Sequence, residues 1–137
     1  KARAFLKDAA KKLGAPPPNV GRLSEVATQL ALLQSQVRTV ARSYDELCRL
    51  PDGGASELSG MAFSLQINHL KLGASELVAD ICMRALRLTG TTGYRNDSPY
   101  SVTRNLRDAL SAALMIGNER IHANTGVLQL AHKGDAL

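Results

Sequence analysis

Apolar residues recur along this chain at steps of three and four, which is the spacing of α-helices rather than of strands. Residues 1–13 place their apolar positions on one face and predict a first helix. A second helix is predicted from about Arg22 to Leu50, with a continuous apolar seam typical of a helical bundle. The seam consists of Leu23, Val26, Leu30, Leu33, Val37, Val40, Tyr44 and Leu47.

A third helix is predicted from about Ser56 to Thr89, and it carries two apolar stripes. A helix that is apolar on two sides needs neighbours on two sides. The pair Ser98-Pro99 is a helix-start signal and predicts a fourth helix. Gly117-Asn118 then predicts a break before a last helix through about Lys133.

The chain length of 137 residues indicates a single domain. Residues 14–21 contain three consecutive prolines, which cannot continue a helix and predict a stiff connector. No segment has the pattern of a strand. The expected fold is all-α, an antiparallel up-and-down bundle of four to five helices, with residues 1–13 as a leading helix and residues 22–133 as the bundle.

Composition narrows the classes of function. Hydrophobic residues make up 45% of the chain, which excludes a disordered tail, and no apolar run is long enough to span a membrane. Cys48 and Cys82 occupy apolar positions without CxxC spacing, so we expect reduced thiols and a cytoplasmic protein. The first residue is Lys rather than Met, which suggests a fragment or a processed chain.

The net charge of +5 is uneven along the chain. Residues 1–50 carry nine Lys and Arg against four Asp and Glu, whereas the remainder is balanced. A basic segment can meet nucleic acid, a membrane surface or an anionic cofactor. Interleaved aromatic residues and known nucleic-acid motifs are missing, so we expect a solvated basic face and no nucleic-acid partner.

The run from Lys71 to Tyr94 carries the most information about function. It ends in a turn, Gly90-Thr91-Thr92-Gly93-Tyr94, and Pro99 and Arg107-Asp108 follow. Small residues let backbone amides approach a phosphate, although glycine also ends helices. This order of residues resembles the C-terminal domain of the acyl-CoA dehydrogenase family, flavoenzymes that desaturate acyl thioesters. The resemblance covers roughly residues 20 to 131.

The resemblance implies a cofactor, FAD, that is shared across subunits. In the family, the turn at Gly90, Thr91, Thr92 and Gly93 contacts FAD, commonly that of a neighbouring subunit, and Thr91 replaces a glycine here. Asn118 replaces a threonine that contacts FAD. The resemblance also implies a homo-oligomer, dimer or tetramer, and an acyl thioester substrate in the complete protein.

The catalytic base stays unknown. In many family members a glutamate removes the proton next to the thioester carbonyl, but Ile116 holds that position here and cannot ionise. Other members place the base on the first helix, where residues 1–13 offer only Asp8. We therefore expect the isolated chain to be inactive, and the complete protein to be an FAD-dependent acyl thioester dehydrogenase.

Other interpretations stay open. Without its base, the complete protein could be an oxygenase-like or biosynthetic relative. His69 on a bundle helix also suggests histidine phosphotransfer, although Lys71 would face away from it; a plain oligomerisation bundle is a further alternative. Arg104, Arg107 and Asp108 predict an ion pair that locks the turn to the fourth helix; Arg104 and Arg107 lie one turn apart on one face, so a phosphate-binding role is the alternative. Histidine spacing fits no metal site, and no metal is expected.

Overall fold

The computed structural model describes residues 1–132, where all regular structure is helical, as expected. Six helices lie in this range, whereas four to five were predicted, because the start of the third predicted helix forms a separate four-residue helix. None of these helices is long and apolar enough to cross a membrane. The helices are α1 (Ala2–Leu13), α2 (Gly21–Leu47), α3 (Ala55–Leu58), α4 (Met61–Tyr94), α5 (Thr103–Met115) and α6 (Asn118–Ala131).

The long central helix α4 organises the bundle. Helices α1, α2, α5 and α6 all pack against it, which agrees with the two apolar stripes of its sequence. Neighbours run antiparallel: Gln29 of α2 donates to Asp80 of α4 near one end, and Ser43 donates to Gln66 near the other. The chain therefore goes up and down with α4 in the middle.

The leading helix belongs to the core. Ala2 and Leu6 of α1 are buried together with apolar residues of α2 and α4. Gly14 ends α1 in the left-handed conformation, with φ of 67°, before the prolines. The aromatic rings of Phe5 and Tyr100 meet edge to face at 5.6 Å between centroids, which ties α1 to the segment before α5. The buried set is Ala2, Leu6, Val26, Leu33, Ile81 and Leu88.

The apolar seam predicted on α2 is only half buried. Val26, Leu33 and Val40 are buried at intervals of seven residues. Leu30 and Val37, however, are 41% and 44% exposed, so the prediction that they lie in the core is wrong. The reason is that α4 is the only long helix packed along α2 to a substantial extent in the described part of the chain, and one neighbour covers one row of side chains.

Helix α5 begins four residues later than Ser98-Pro99 predicts. The Ser98 hydroxyl instead accepts a hydrogen bond from the backbone N–H of Tyr100 at 3.1 Å, and its carbonyl accepts from Ser101. The start signal thus forms a turn that precedes the helix.

Candidate functional site

The predicted glycine turn lies inside α4 rather than after it. Gly90 has φ of 57° and ψ of −143°, which kinks the helix, and helical geometry resumes through Tyr94. Glycine adopts this conformation without steric cost. Just before the kink Thr89 is buried, and its hydroxyl donates to the carbonyls of Ala85 and Leu86 at 3.0 and 3.1 Å. These two hydrogen bonds of a buried side chain therefore stabilise the helix just before the kink.

Gly93 is needed for packing. A Cβ on this residue would lie 1.8 Å from the Thr89 Oγ1, so no other residue fits without a shift. Its carbonyl oxygen accepts the backbone N–H of Val102 at 2.8 Å, which fastens the end of α4 to the start of α5. Gly93 is buried, and this close packing is by itself a sufficient reason for glycine at this position.

Thr91 and Thr92 are the residues of the turn that remain available to a ligand. Thr91 is exposed and Thr92 is half-buried. Neither hydroxyl makes a hydrogen bond within residues 1–132, and the space beside Gly90 is open. Two free hydroxyls next to an open kink suit contact with a polar group of a cofactor.

The segment after the turn is fixed by polar contacts. Arg95 pairs with Asp97 at 2.6 Å, and this hydrogen bond holds the pKa of Asp97 below its usual value. The Tyr100 hydroxyl donates to Asp8 of α1, which raises the pKa of Tyr100. Asp8, the only carboxylate of the leading helix, is thus engaged by Tyr100.

The ion pairs of Asp108 do not connect the glycine turn to α5, as the sequence had predicted. Asp108 lies 3.7 Å from Arg104 and 3.6 Å from Arg107, so both ion pairs stay within α5. All three side chains are largely exposed, and such pairs contribute little to stability. The backbone hydrogen bond between Val102 and Gly93 joins the turn to α5 instead.

Asn118 lies at the other end of α5, in a polar network that the sequence did not predict. Its amide Nδ2 donates to the Ser75 hydroxyl at 2.9 Å, and its Oδ1 accepts from Lys71. Lys71 also donates to the carbonyl of Ala112 at 3.1 Å, in the last turn of α5, where carbonyls lack helical partners. The available signal was Lys71 and Ser75, four residues apart and so on one face of α4.

This network leaves Asn118 one amide hydrogen for a ligand. The turn at Gly90 and Asn118 do not share a pocket. Helix α5 has 13 residues between them, which is about 20 Å at the usual rise. The candidate cofactor residues therefore form two separate groups.

Ile116 lies at an exposed apolar corner between α5 and α6. Its side chain is 58% exposed, and the preceding Leu114 and Met115 are both 80% exposed. Glu119, in the first turn of α6, is exposed as well. The corner therefore offers an apolar surface at the position where the sequence resemblance led us to expect a base.

An apolar groove of about 880 Å³ runs between α1, α2 and α4 and was not foreseen from the sequence. Ile81, Cys82 and Ala85 line it from α4, and Lys1 and Arg3 line it from the start of the chain. Burial raises the pKa of the Cys82 thiol, which favours its protonated form.

The histidines do not form a phosphotransfer site of the expected kind. His69 Nε2 lies 3.1 Å from the amide nitrogen of Gln129, while Lys71 is engaged at the α5–α6 corner. His122 lies 3.7 Å from Glu76 of α4. Within residues 1–132, no three His, Cys, Asp or Glu side chains are arranged to hold a metal ion.

Comparison with known proteins yields one family. The model of the acyl-CoA dehydrogenase C-terminal domain matches residues 6–130 of the 137-residue chain. The same comparisons found no matching curated protein and no matching solved structure. The match includes α2 to α5 in full, with the turn, the Lys71 network and Ile116.

Proposed function

The chain belongs to the acyl-CoA dehydrogenase family as its C-terminal domain, and on that premise we propose that it contributes FAD contacts and joins subunits into an oligomer. The complete protein would carry out the α,β-dehydrogenation of an acyl thioester. FAD supplies the two-electron oxidation in that reaction. This domain would position the cofactor and exclude water from it.

The observation that carries the proposal is the apolar surface left uncovered beside α4. Large exposed apolar patches mark interfaces in soluble proteins. One patch follows α2 and the other covers α5 and α6. The exposed side chains are Leu30, Val37 and Tyr44 on the first, and Leu110, Leu114, Met115, Ile116, Val127 and Leu130 on the second. A second copy of the chain is the occupant that we propose for them.

Two separate groups of polar residues support a cofactor that is shared between subunits. The hydroxyls of Thr91 and Thr92 would donate to the FAD of a neighbouring subunit. Asn118 would use its remaining amide hydrogen at the other end of α5. About 20 Å separates the two groups. We therefore propose that they contact different parts of the assembly rather than line one pocket.

Ile116 favours a second candidate function. A dehydrogenase needs a base that can ionise next to the substrate, and Ile116 supplies an apolar wall instead. In a dehydrogenase the base must come from another part of the complete protein. If no such base exists, the protein would be an oxygenase-like or biosynthetic relative.

Both cysteines are free thiols, which supports a reducing compartment such as the cytoplasm.

The decisive experiment is anaerobic reduction of the flavin in the complete protein by a panel of acyl thioesters. Bleaching of the flavin absorbance by at least one thioester is the expected result. A complete protein that retains FAD but is reduced by none of them would overturn the dehydrogenase assignment. A complete protein that retains no flavin would leave only the oligomerisation role.

The oligomer is tested by light scattering of the chain at high micromolar concentration, where we expect a mass of two or four copies. Leu114→Glu should lower that mass because it puts a charge into the α5–α6 patch. Leu13→Glu is the matched control, since Leu13 is 65% exposed at the end of α1, outside both patches. A strict monomer would count against the assembly.

A further inference from the structure

The apolar groove of about 880 Å³ between α1, α2 and α4 is long and open to solvent. On its α2 side the lining runs from Val20 to Gln34, fourteen positions later, which is about 21 Å at the usual helical rise. Val20 and Leu30 are 42% and 41% exposed, although both line the groove. The groove therefore has the length of about four turns of an α-helix.

The α2 wall of the groove is one continuous helical face. Its positions recur at steps of three and four, and leucines alternate along it with small side chains. This wall includes Leu23, Ser24, Ala27, Leu30, Ala31 and Gln34. Such a wall is complementary to another helix, because the side chains of one helix pack between those of the next.

The charged residues that line the groove are both cations. The Lys1 Nζ donates to the Oδ1 of Asn105 at 3.1 Å, and this neutral amide does not balance its charge. Arg3 is exposed and makes no hydrogen bond or ion pair with any residue from 1 to 132. Among the described residues, no Asp or Glu lines the groove. An occupant with carboxylates beside its apolar face would thus meet unpaired positive charge.

We propose that this groove docks an amphipathic helix of a partner protein, with apolar side chains in the groove and acidic side chains beside Lys1 and Arg3. An apolar groove that takes the apolar face of a helix is a recurrent mode of recognition. Complementary charges at the edge of such a contact set its orientation and raise the rate of association. The docking site does not rest on the flavin or on thioester chemistry.

A second copy of this chain does not offer an acidic helix from α5 or α6, whose apolar side chains are exposed. Helix α5 carries Arg104 and Arg107 against Asp108, and α6 carries Arg120 against Glu119. Neither helix therefore has a net negative charge. The part of the α2 patch that lies beyond the groove remains for the second copy.

The test is calorimetric titration of the 137-residue chain with a synthetic peptide of about 15 residues, with leucines at helical spacing and glutamates along one edge of the leucine stripe. Binding should show a negative heat-capacity change, because apolar surface is buried. A peptide of the same composition in scrambled order should not bind, since it lacks the apolar face. A peptide with lysine in place of each glutamate should bind about tenfold more weakly. Equal binding of the acidic and lysine peptides would overturn the proposal.

Variants of the chain locate the peptide. Ala27→Glu puts a carboxylate into the apolar contact and should weaken binding by about tenfold or more. Arg3→Glu should weaken binding of the acidic peptide about fivefold and strengthen that of the lysine peptide, because it reverses the charge at the edge. Ala41→Glu on α2 and Lys7→Glu on α1 are the matched controls, since both residues are exposed and lie outside the groove lining. They should change the affinity less than about twofold, and control effects as large as those of the groove variants would overturn the assignment.

Three further outcomes would overturn the docking of a partner helix. The first is that the acidic peptide does not bind to the chain. The second is that dodecanoate binds as tightly as the peptide and is weakened equally by Ala27→Glu, which would assign the groove to a single acyl chain. The third is that the peptide binds to the 137-residue chain but not to the complete protein, which would show that the complete protein covers the groove itself. Flavin reduction in the complete protein is measured separately, so none of these results decides the proposed function.

Discussion

Thr89 and Gly93 are packed so closely across the α4 kink that a Cβ on Gly93 would lie 1.8 Å from the Thr89 Oγ1 and 2.6 Å from its Cβ. Rotation of the threonine side chain cannot relieve the second contact, because the Cβ is fixed by the backbone. This pair, together with the bond from Val102 to Gly93, sets the path of the chain from α4 into α5. Packing between Thr89 and Gly93 thus sets the conformation of the turn.

Gly93→Ala should therefore destabilise the chain by about 1–3 kcal/mol or more, as forced overpacking does. Urea unfolding followed by circular dichroism measures the change. Gly126→Ala is the control, since Gly126 lies within α6 with no atom within 4 Å of its Cβ position. It should be neutral or stabilise by up to about 1 kcal/mol. Equal effects of the two variants would contradict the assigned packing role.

Lys71→Met should loosen the α5–α6 corner. It removes the donor shared by Ala112 and Asn118, at a cost of about 1–3 kcal/mol for acceptors left without a partner. Hydrogen exchange should rise in the last turn of α5 and the first turn of α6. Lys7→Met, an exposed change on α1, should leave exchange there unaltered. Unchanged exchange in Lys71→Met would show that the network does not hold the corner.

The loss of stability should be much larger for Leu33→Ala than for Leu30→Ala, although both residues lie on the predicted seam of α2. Leu33 is buried in the core, and its truncation should cost about 2–5 kcal/mol. Leu30 is 41% exposed, and its truncation should cost less than about 1 kcal/mol in the isolated chain. Thermal unfolding at a concentration where the chain is monomeric measures both. Similar losses would mean that the whole seam is core.

Asp80→Asn should reveal a pH-dependent contribution to stability. The hydrogen bond from Arg84 lowers the pKa of Asp80 below its usual value of 3.8. A carboxyl with a lowered folded-state pKa stabilises the fold above its unfolded pKa, and the contribution is lost as pH falls through the folded pKa.

The melting temperatures of wild type and Asp80→Asn should therefore differ at neutral pH and converge below about pH 4. Asp45→Asn is the control, because Asp45 is exposed and forms no ion pair with residues 1–132. Its melting temperature should show no such convergence with that of wild type. A gap between wild type and Asp80→Asn that does not change with pH would refute the role of this ion pair.

Ile116→Glu tests the chemistry of the complete protein. With a native base elsewhere, the new carboxylate should leave acyl thioester turnover unchanged or lower it by crowding. Without one, the variant should gain thioester-dependent flavin bleaching, because a placed base contributes roughly 10²–10⁴-fold. We expect the first result, and Met115→Glu controls for a charge at the same corner. A gain found only in Ile116→Glu would favour the second candidate function.

The sequence by itself determined the helical class and the family. Both follow from local information: the spacing of apolar residues along each helix and the order of residues from Lys71 to Arg107-Asp108. The two apolar stripes of α4 also predicted its central position, since a helix that is apolar on two sides must be covered on two sides. Such signals need no knowledge of the partners across the fold.

Only the tertiary structure decided which of these positions are used, and for what. Leu30 and Leu33 read alike in sequence, but α4 covers one and leaves the other exposed. Gly93 fits a cofactor turn by sequence, yet the nearby Thr89 side chain explains why it is glycine. Lys71 and Asn118 are 47 residues apart along the chain, so their meeting depends on how the helices pack. The spacing of apolar residues predicts each helix. Packing between helices that are far apart along the chain decides which side chains share a site.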